Sequence, residues 1–124
     1  MRISKTSFAV GGAGFALVAM PAIAHHGWSG NNQPIELSGT VVAAPDLSGP
    51  HATMQIRDAD GQVWDITLAP APRTSRAGLD AEVVPVGAEV TISGMRNDDP
   101  ARFEVKTRRV SHEGTNYDVY PPER

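Results

Sequence analysis

Between residues 35 and 110, apolar and polar side chains alternate in short runs, the period of a strand with one buried face. Ile35, Leu37, Gly39, Val41 and Ala43 take one parity, against Glu36, Ser38, Thr40 and Val42 on the other. Ala52, Met54 and Ile56 repeat the pattern, followed by Trp64, Ile66 and Leu68, and then by Val90, Ile92 and Gly94. Asp58-Ala59-Asp60-Gly61 predicts a hairpin between the second and third runs, because aspartates bond to nearby backbone and glycine accepts a positive φ. Asn97-Asp98-Asp99-Pro100 is a second polar turn, after which Phe103, Val105 and Thr107 begin a fifth strand. Val110 falls off that parity and predicts a bulge or strand end near Arg108-Arg109.

One helical signal interrupts the strands. Pro72 fits a first helical turn, Arg73 to Ala77 the body, Gly78 the left-handed position after the helix and Leu79 the apolar residue beyond it. Five strands with one short helix between the third and fourth predict an all-β fold, a small OB-like Greek-key barrel. Gly39 and Gly94, both mid-strand, are expected where such a barrel bends sharply. Another small barrel or a sandwich is the competing architecture. The chain shows no internal repeat.

The first residues follow a different pattern. Arg2 and Lys5 precede an uncharged stretch from Phe8 to Met20, then Pro21 and Ala22-Ile23-Ala24. This predicts a secretory signal peptide over 1–24, a 25–34 arm, and the barrel domain with a C-terminal tail over 35–124. The uncharged stretch is shorter than the ~20 residues a spanning helix needs, so no stable membrane span is expected after cleavage. The expected location is periplasmic or secreted; an uncleaved N-terminal anchor is the competing reading. Cleavage after Ala24 removes two basic residues and takes the net charge from −3 to −5, with histidine neutral. An acidic domain without a basic run is a poor partner for nucleic acid, whose binding depends on lysine and arginine neutralising phosphates. With no cysteine there is neither a disulfide framework nor a thiolate ligand, so any metal must be held by nitrogen and oxygen.

The histidines carry the candidate chemistry. His25 would be the N-terminal residue after cleavage, offering its free α-amine and its imidazole together; His26 follows it, and His51 opens the second strand behind Pro50. A copper ion, ahead of zinc, would take both His25 nitrogens with His51 or His26 completing the set, and Trp28 would shield it. The bland alternative reads His25 and His26 as polar residues on a frayed terminus and His51 as a turn residue. His112, in the turn-like Ser111-His112-Glu113-Gly114, is expected to face solvent and is left out of the ligand set. Asp58 with Asp60, and the Asp98-Asp99 pair, read as turns and lack the ligand count of a calcium loop. The aromatic tail through Tyr117 and Tyr120 is expected to dock on the barrel as a closing strand, or else to present those rings to a partner.

These residues resemble an uncharacterised family of small exported bacterial proteins carrying a domain of unknown function. The likeness rests on the leader, His25-His26 with Trp28, Gly39-Thr40-Val41, Pro50-His51, Trp64 and the Arg76-Ala77-Gly78-Leu79 helix end. Gly49 departs from it, since the family places an asparagine before the Pro-His pair. More loosely, the strand order is similar to periplasmic OB-fold stress proteins. Neither resemblance implies a reaction. Two functions therefore compete: an exported protein that binds or delivers a metal ion through His25, His26 and His51, and an OB-type interaction module binding an exported peptide, glycan or protein partner. An enzyme ranks third, because no residue pattern names a substrate.

Overall fold

The computed structural model describes residues 30–121. Its elements are β1 (Gln33–Asp46), β2 (Thr53–Arg57), β3 (Val63–Thr67), α1 (Ala71–Arg76), β4 (Glu89–Arg96), β5 (Glu104–His112) and β6 (Thr115–Asp118). β1 pairs antiparallel with β4 through its first half and with β2 through its second. β2 pairs with β3, β4 pairs with β5, and a parallel β3–β5 ladder from Asp65–Glu104 to Thr67–Lys106 closes the sheet. A row of partners from Pro34 through Met95, Lys106, Thr67 and Thr53 returns to β1 at Asp46, the stagger that a closed, tilted barrel requires. The result is the expected five-strand OB-like barrel with one short helix.

The inward positions form one core. Val41, Met54, Ile56, Trp64, Ile66, Leu68, Val90, Ile92, Val105 and Val110 are all at most 5 % exposed. Each such aliphatic side chain contributes about 2 kcal/mol by leaving water. The helix follows its sequence signal closely. Gly78 takes φ +91 just beyond α1, and Leu79 is buried beneath the helix end. Thr74, also buried, turns its Oγ1 back to donate to the Ala69 carbonyl at 2.9 Å.

Gly39 and Gly94 sit where strands press closest. A Cβ at Gly39 would lie 2.5 Å from the Arg57 carbonyl oxygen, and one at Gly94 would collide with the Lys106 carbonyl. β1 passes from β4 to β2 beside Gly39, so that glycine stands at the bend. The β5 bulge also falls as expected. Ser93 pairs with Arg109 and Gly94 with Thr107, leaving Arg108 as the extra residue and returning Val110 to the core. Thr107 is fully buried, and its hydroxyl has no hydrogen-bond partner among the described residues.

Three expectations are corrected. β1 carries two register shifts, between Val41 and Ala43 and between Ala43 and Asp46, so Ala43 pairs with the outward Gln55 instead of lining the core. Phe103 lies one residue ahead of β5, is 36 % exposed, and sets its ring edge-on to Trp64 with centroids 5.2 Å apart. The tail adds a sixth strand: β6 pairs with β5 from Arg109–Asp118 to His112–Thr115. Docking therefore describes the tail correctly, but the β3–β5 ladder is what closes the barrel. Val119 is fully buried, and the Arg73 guanidinium lies 5.4 Å from the Tyr120 ring centre.

Candidate functional site

His51 stands in the turn between β1 and β2. Asp46 opens this turn by accepting from the Ser48 amide at 2.9 Å and the Ser48 hydroxyl at 2.6 Å. Those two bonds hold the Asp46 carboxyl below its ordinary pKa, the side-chain bond contributing most. Ser48, Gly49, Pro50 and His51 are exposed, and Pro50 restricts the backbone immediately before the histidine. Ala52 then anchors the chain: fully buried, it donates to the Ala69 carbonyl at 2.9 Å and accepts from the Leu68 amide at 2.8 Å. The His51 side chain thus projects from the residue just ahead of a fixed strand end. Gly49 is not required by the backbone, since a Cβ there would meet the His51 carbonyl at an ordinary 3.4 Å.

His25, His26 and Trp28 lie outside the described residues; the place where their segment joins the barrel is defined. The Asp98 amide donates to the Gly30 carbonyl at 2.8 Å. Its carboxylate accepts from the Asn32 backbone at 3.0 Å and from the Asn32 side chain at 2.8 Å. Asp98 belongs to the β4–β5 loop, which Arg96 organises. The Arg96 guanidinium lies 4.8 Å from the Trp64 ring centre and donates to the carbonyls of Asn97, Pro100 and Arg102 at 3.2 Å. Asn31 lines a polar cleft of about 370 Å³ together with Thr67 and Lys106. Thr67 pairs with Thr53, two residues beyond His51. The base of the N-terminal arm and His51 therefore flank the same end of β3.

Next to His51, the outer face of β1, β2 and β3 holds a cleft of about 410 Å³. Ala43 and Ala44 leave the room, while Asp46, Gln55, Asp65 and Thr67 supply polar groups. Gln55 donates to Asp65 at 2.7 Å across the β2–β3 pair. This is the face on which OB barrels bind extended ligands. Its acids and amides differ from the basic, aromatic surface that nucleic acid needs.

His112 is the histidine that the sequence reading misplaced. Its side chain is 12 % exposed and not solvent-facing. Nδ1 lies 2.9 Å from the Glu89 carbonyl oxygen, the geometry of a ring N–H donating across the end of β4. Nε2 is 3.8 Å from the Glu113 carboxylate. Glu113 and Gly114 take φ of 51 and 80, the paired left-handed conformation of a two-residue hairpin turn. Among the described residues, no group of three or more histidine, aspartate or glutamate side chains is placed to hold a metal. The sequence reading also passed over Asp98 as an anchor and over Arg102 and Lys106. Asp98 bonds to Asn32 and Gly30, more than sixty residues away, and Lys106 meets Thr67 only through the β3–β5 ladder, so no local pattern marks either; Arg102 bonds locally to Glu104.

A family model described as a family of unknown function, DUF6152, matches residues 14–105. The chain is a DUF6152 protein. No curated protein and no solved structure matches it. The DUF6152 match takes in His25, His26, His51 and Trp64 and ends at Val105, the second residue of β5, so His112 and the docked tail lie beyond it. Among the described residues, no helix of this DUF6152 protein is long and apolar enough to cross a membrane.

Proposed function

We propose that this DUF6152 protein is exported and, once cut after Ala24, binds a transition metal, copper(II) ahead of zinc, at its N-terminus. His25 is the anchor through its α-amine and imidazole, His51 supplies a third nitrogen, and His26 is the alternate ligand. The observation that supports this reading is that His51 is exposed on a firmly anchored turn, two residues before Thr53, whose ladder partner Thr67 lines the cleft at the arm base. Five residue steps lead from His25 to Gly30, a reach of at most about 18 Å. Asn31, the next residue, shares a cleft with Thr67, and Thr67 pairs with Thr53 at the start of the strand that follows His51. A chain without cysteine leaves imidazole and amine nitrogen as its best ligands for copper. The role is binding or delivery of the ion, not turnover.

The test is a titration of the exported protein, its N-terminal residue fixed by mass spectrometry, with copper(II) and zinc(II). Parallel samples carry His51→Ala or one additional residue ahead of His25. Tight copper binding that falls sharply in both variants supports the assignment. Weak binding unchanged by either alteration overturns it.

A second reading has its own observation, the cleft of about 410 Å³ beside Asp46 and Asp65 on the β1–β2–β3 face. There the protein would serve as an OB-type interaction module for an exported peptide, glycan or protein partner. Asp65→Ala separates the two readings, since it strips that cleft of a central polar group and leaves the histidines untouched.

A further inference from the structure

We propose that the polar cleft between the arm base, the end of β3 and the β4–β5 loop is a binding site for a small carboxylate monoanion. It is lined by Asn31, Thr67, Asn97, Arg102, Glu104 and Lys106, and its volume is about 370 Å³. The proposal is independent of the metal reading.

The charges in the cleft are unequally committed. Glu104 is engaged twice, accepting from Arg102 Nε at 3.0 Å and from Asn97 Nδ2 at 2.8 Å. Arg102 spends one nitrogen on that bond, leaving its two terminal nitrogens free of hydrogen bonds among the described residues. Lys106 stands between Met95 and Thr67 in the ladder, and its ammonium makes no hydrogen bond among the described residues. Burial pushes the Lys106 pKa down, and the negative charge of Glu104 offsets this only in part. An anion beside Lys106 would relieve that cost.

Among the side chains that line the cleft, two cations and one carboxylate leave a single positive charge in excess, and Thr67 lines the same cleft. A carboxylate matches that charge and can accept from an ammonium, a guanidinium and a hydroxyl together. A phosphate dianion brings a second negative charge towards Glu104 and is disfavoured by it. The leader and arm contribute no acidic residue, so residues 1–29 cannot supply the carboxylate themselves.

The experiment is a titration of the isotope-labelled exported protein with sodium acetate, followed by backbone amide shifts in NMR, against sodium chloride at matched ionic strength. Saturable shifts at Thr67, Asn97 and Lys106 with acetate and not with chloride are expected. Lys106→Gln should weaken binding about tenfold or more, the effect of removing a charged hydrogen-bond donor. Glu104→Gln, which removes the like charge, should tighten it, and this gain does not depend on how well the lysine variant folds. Inorganic phosphate should bind more weakly than acetate. Equal shifts with chloride, tighter binding of phosphate, or an unchanged acetate affinity in both variants would overturn the proposal.

Discussion

The β5–β6 hairpin and the β1–β2 turn each carry a histidine, and the fold uses them in opposite ways. His112 is 12 % exposed and held by the Glu89 carbonyl, on the wall of a shallow cleft that it shares with Thr91 and Ser111. His51 is exposed, one residue ahead of a buried alanine that fixes the backbone, and its ring makes no hydrogen bond among the described residues. A ring already bonded to its own sheet must break that bond before it can bind anything else. A ring projecting from an anchored turn has no such bond to give up. The histidine in the more turn-like sequence is thus the structural one.

Adding one methyl group to the wall has the largest expected effect. Gly94→Ala would drive a Cβ into the Lys106 backbone, which cannot swing aside as a flexible side chain can. It should cost about 3 kcal/mol in denaturant unfolding. A loss below about 0.5 kcal/mol would mean that the wall yields as easily as a surface site.

Paired histidine variants sharpen the contrast directly. His112→Ala removes the 2.9 Å bond to Glu89 and should cost about 1 kcal/mol, with no effect on copper affinity. His51→Ala should change stability by less than about 0.5 kcal/mol. Equal stability losses in the two variants would erase the distinction between them.

The smallest effect is expected at the β2–β3 hairpin, where an acid is as fully committed as His112. Asp58 accepts from Trp64 Nε1 and from the amides of Asp60 and Gln62, each at 2.9 Å. The Trp64 bond is the main cause of its lowered pKa. A carboxylate depressed in the folded state contributes stability above its unfolded pKa and loses it as pH falls through its folded value. Asp58→Asn should therefore lower the melting temperature at neutral pH, and the gap from the parent should narrow as pH falls below about 4. A gap constant down to pH 3 would contradict this assignment.

Most of the fold was legible because the alternation is local. The inward residues of β2, β3 and β4, the α1 stop at Gly78 and the Arg108 bulge all follow from parity or from one glycine. The bulges of β1 were not legible, since Val42 and Ala44 suit either face and only pairing with β2 reveals the extra residues. Phe103 shares parity with Val105 and so opens the expected fifth strand, but the strand starts at Glu104, and Trp64 and Arg96 hold the Phe103 ring at the rim. The candidate site was half legible. Pro50-His51 stands out in sequence, whereas the Asp98 clamp on Gly30 and Asn32 joins segments more than sixty residues apart.

The central claim is that His25 and His51 meet on one metal ion. The most direct measurement is electron paramagnetic resonance of the copper(II)-loaded mature protein, comparing the parent with His51→Ala. Nitrogen hyperfine structure from three donors in the parent, falling to two in the variant, is the predicted result. Identical spectra would place His51 outside the copper site and contradict the account.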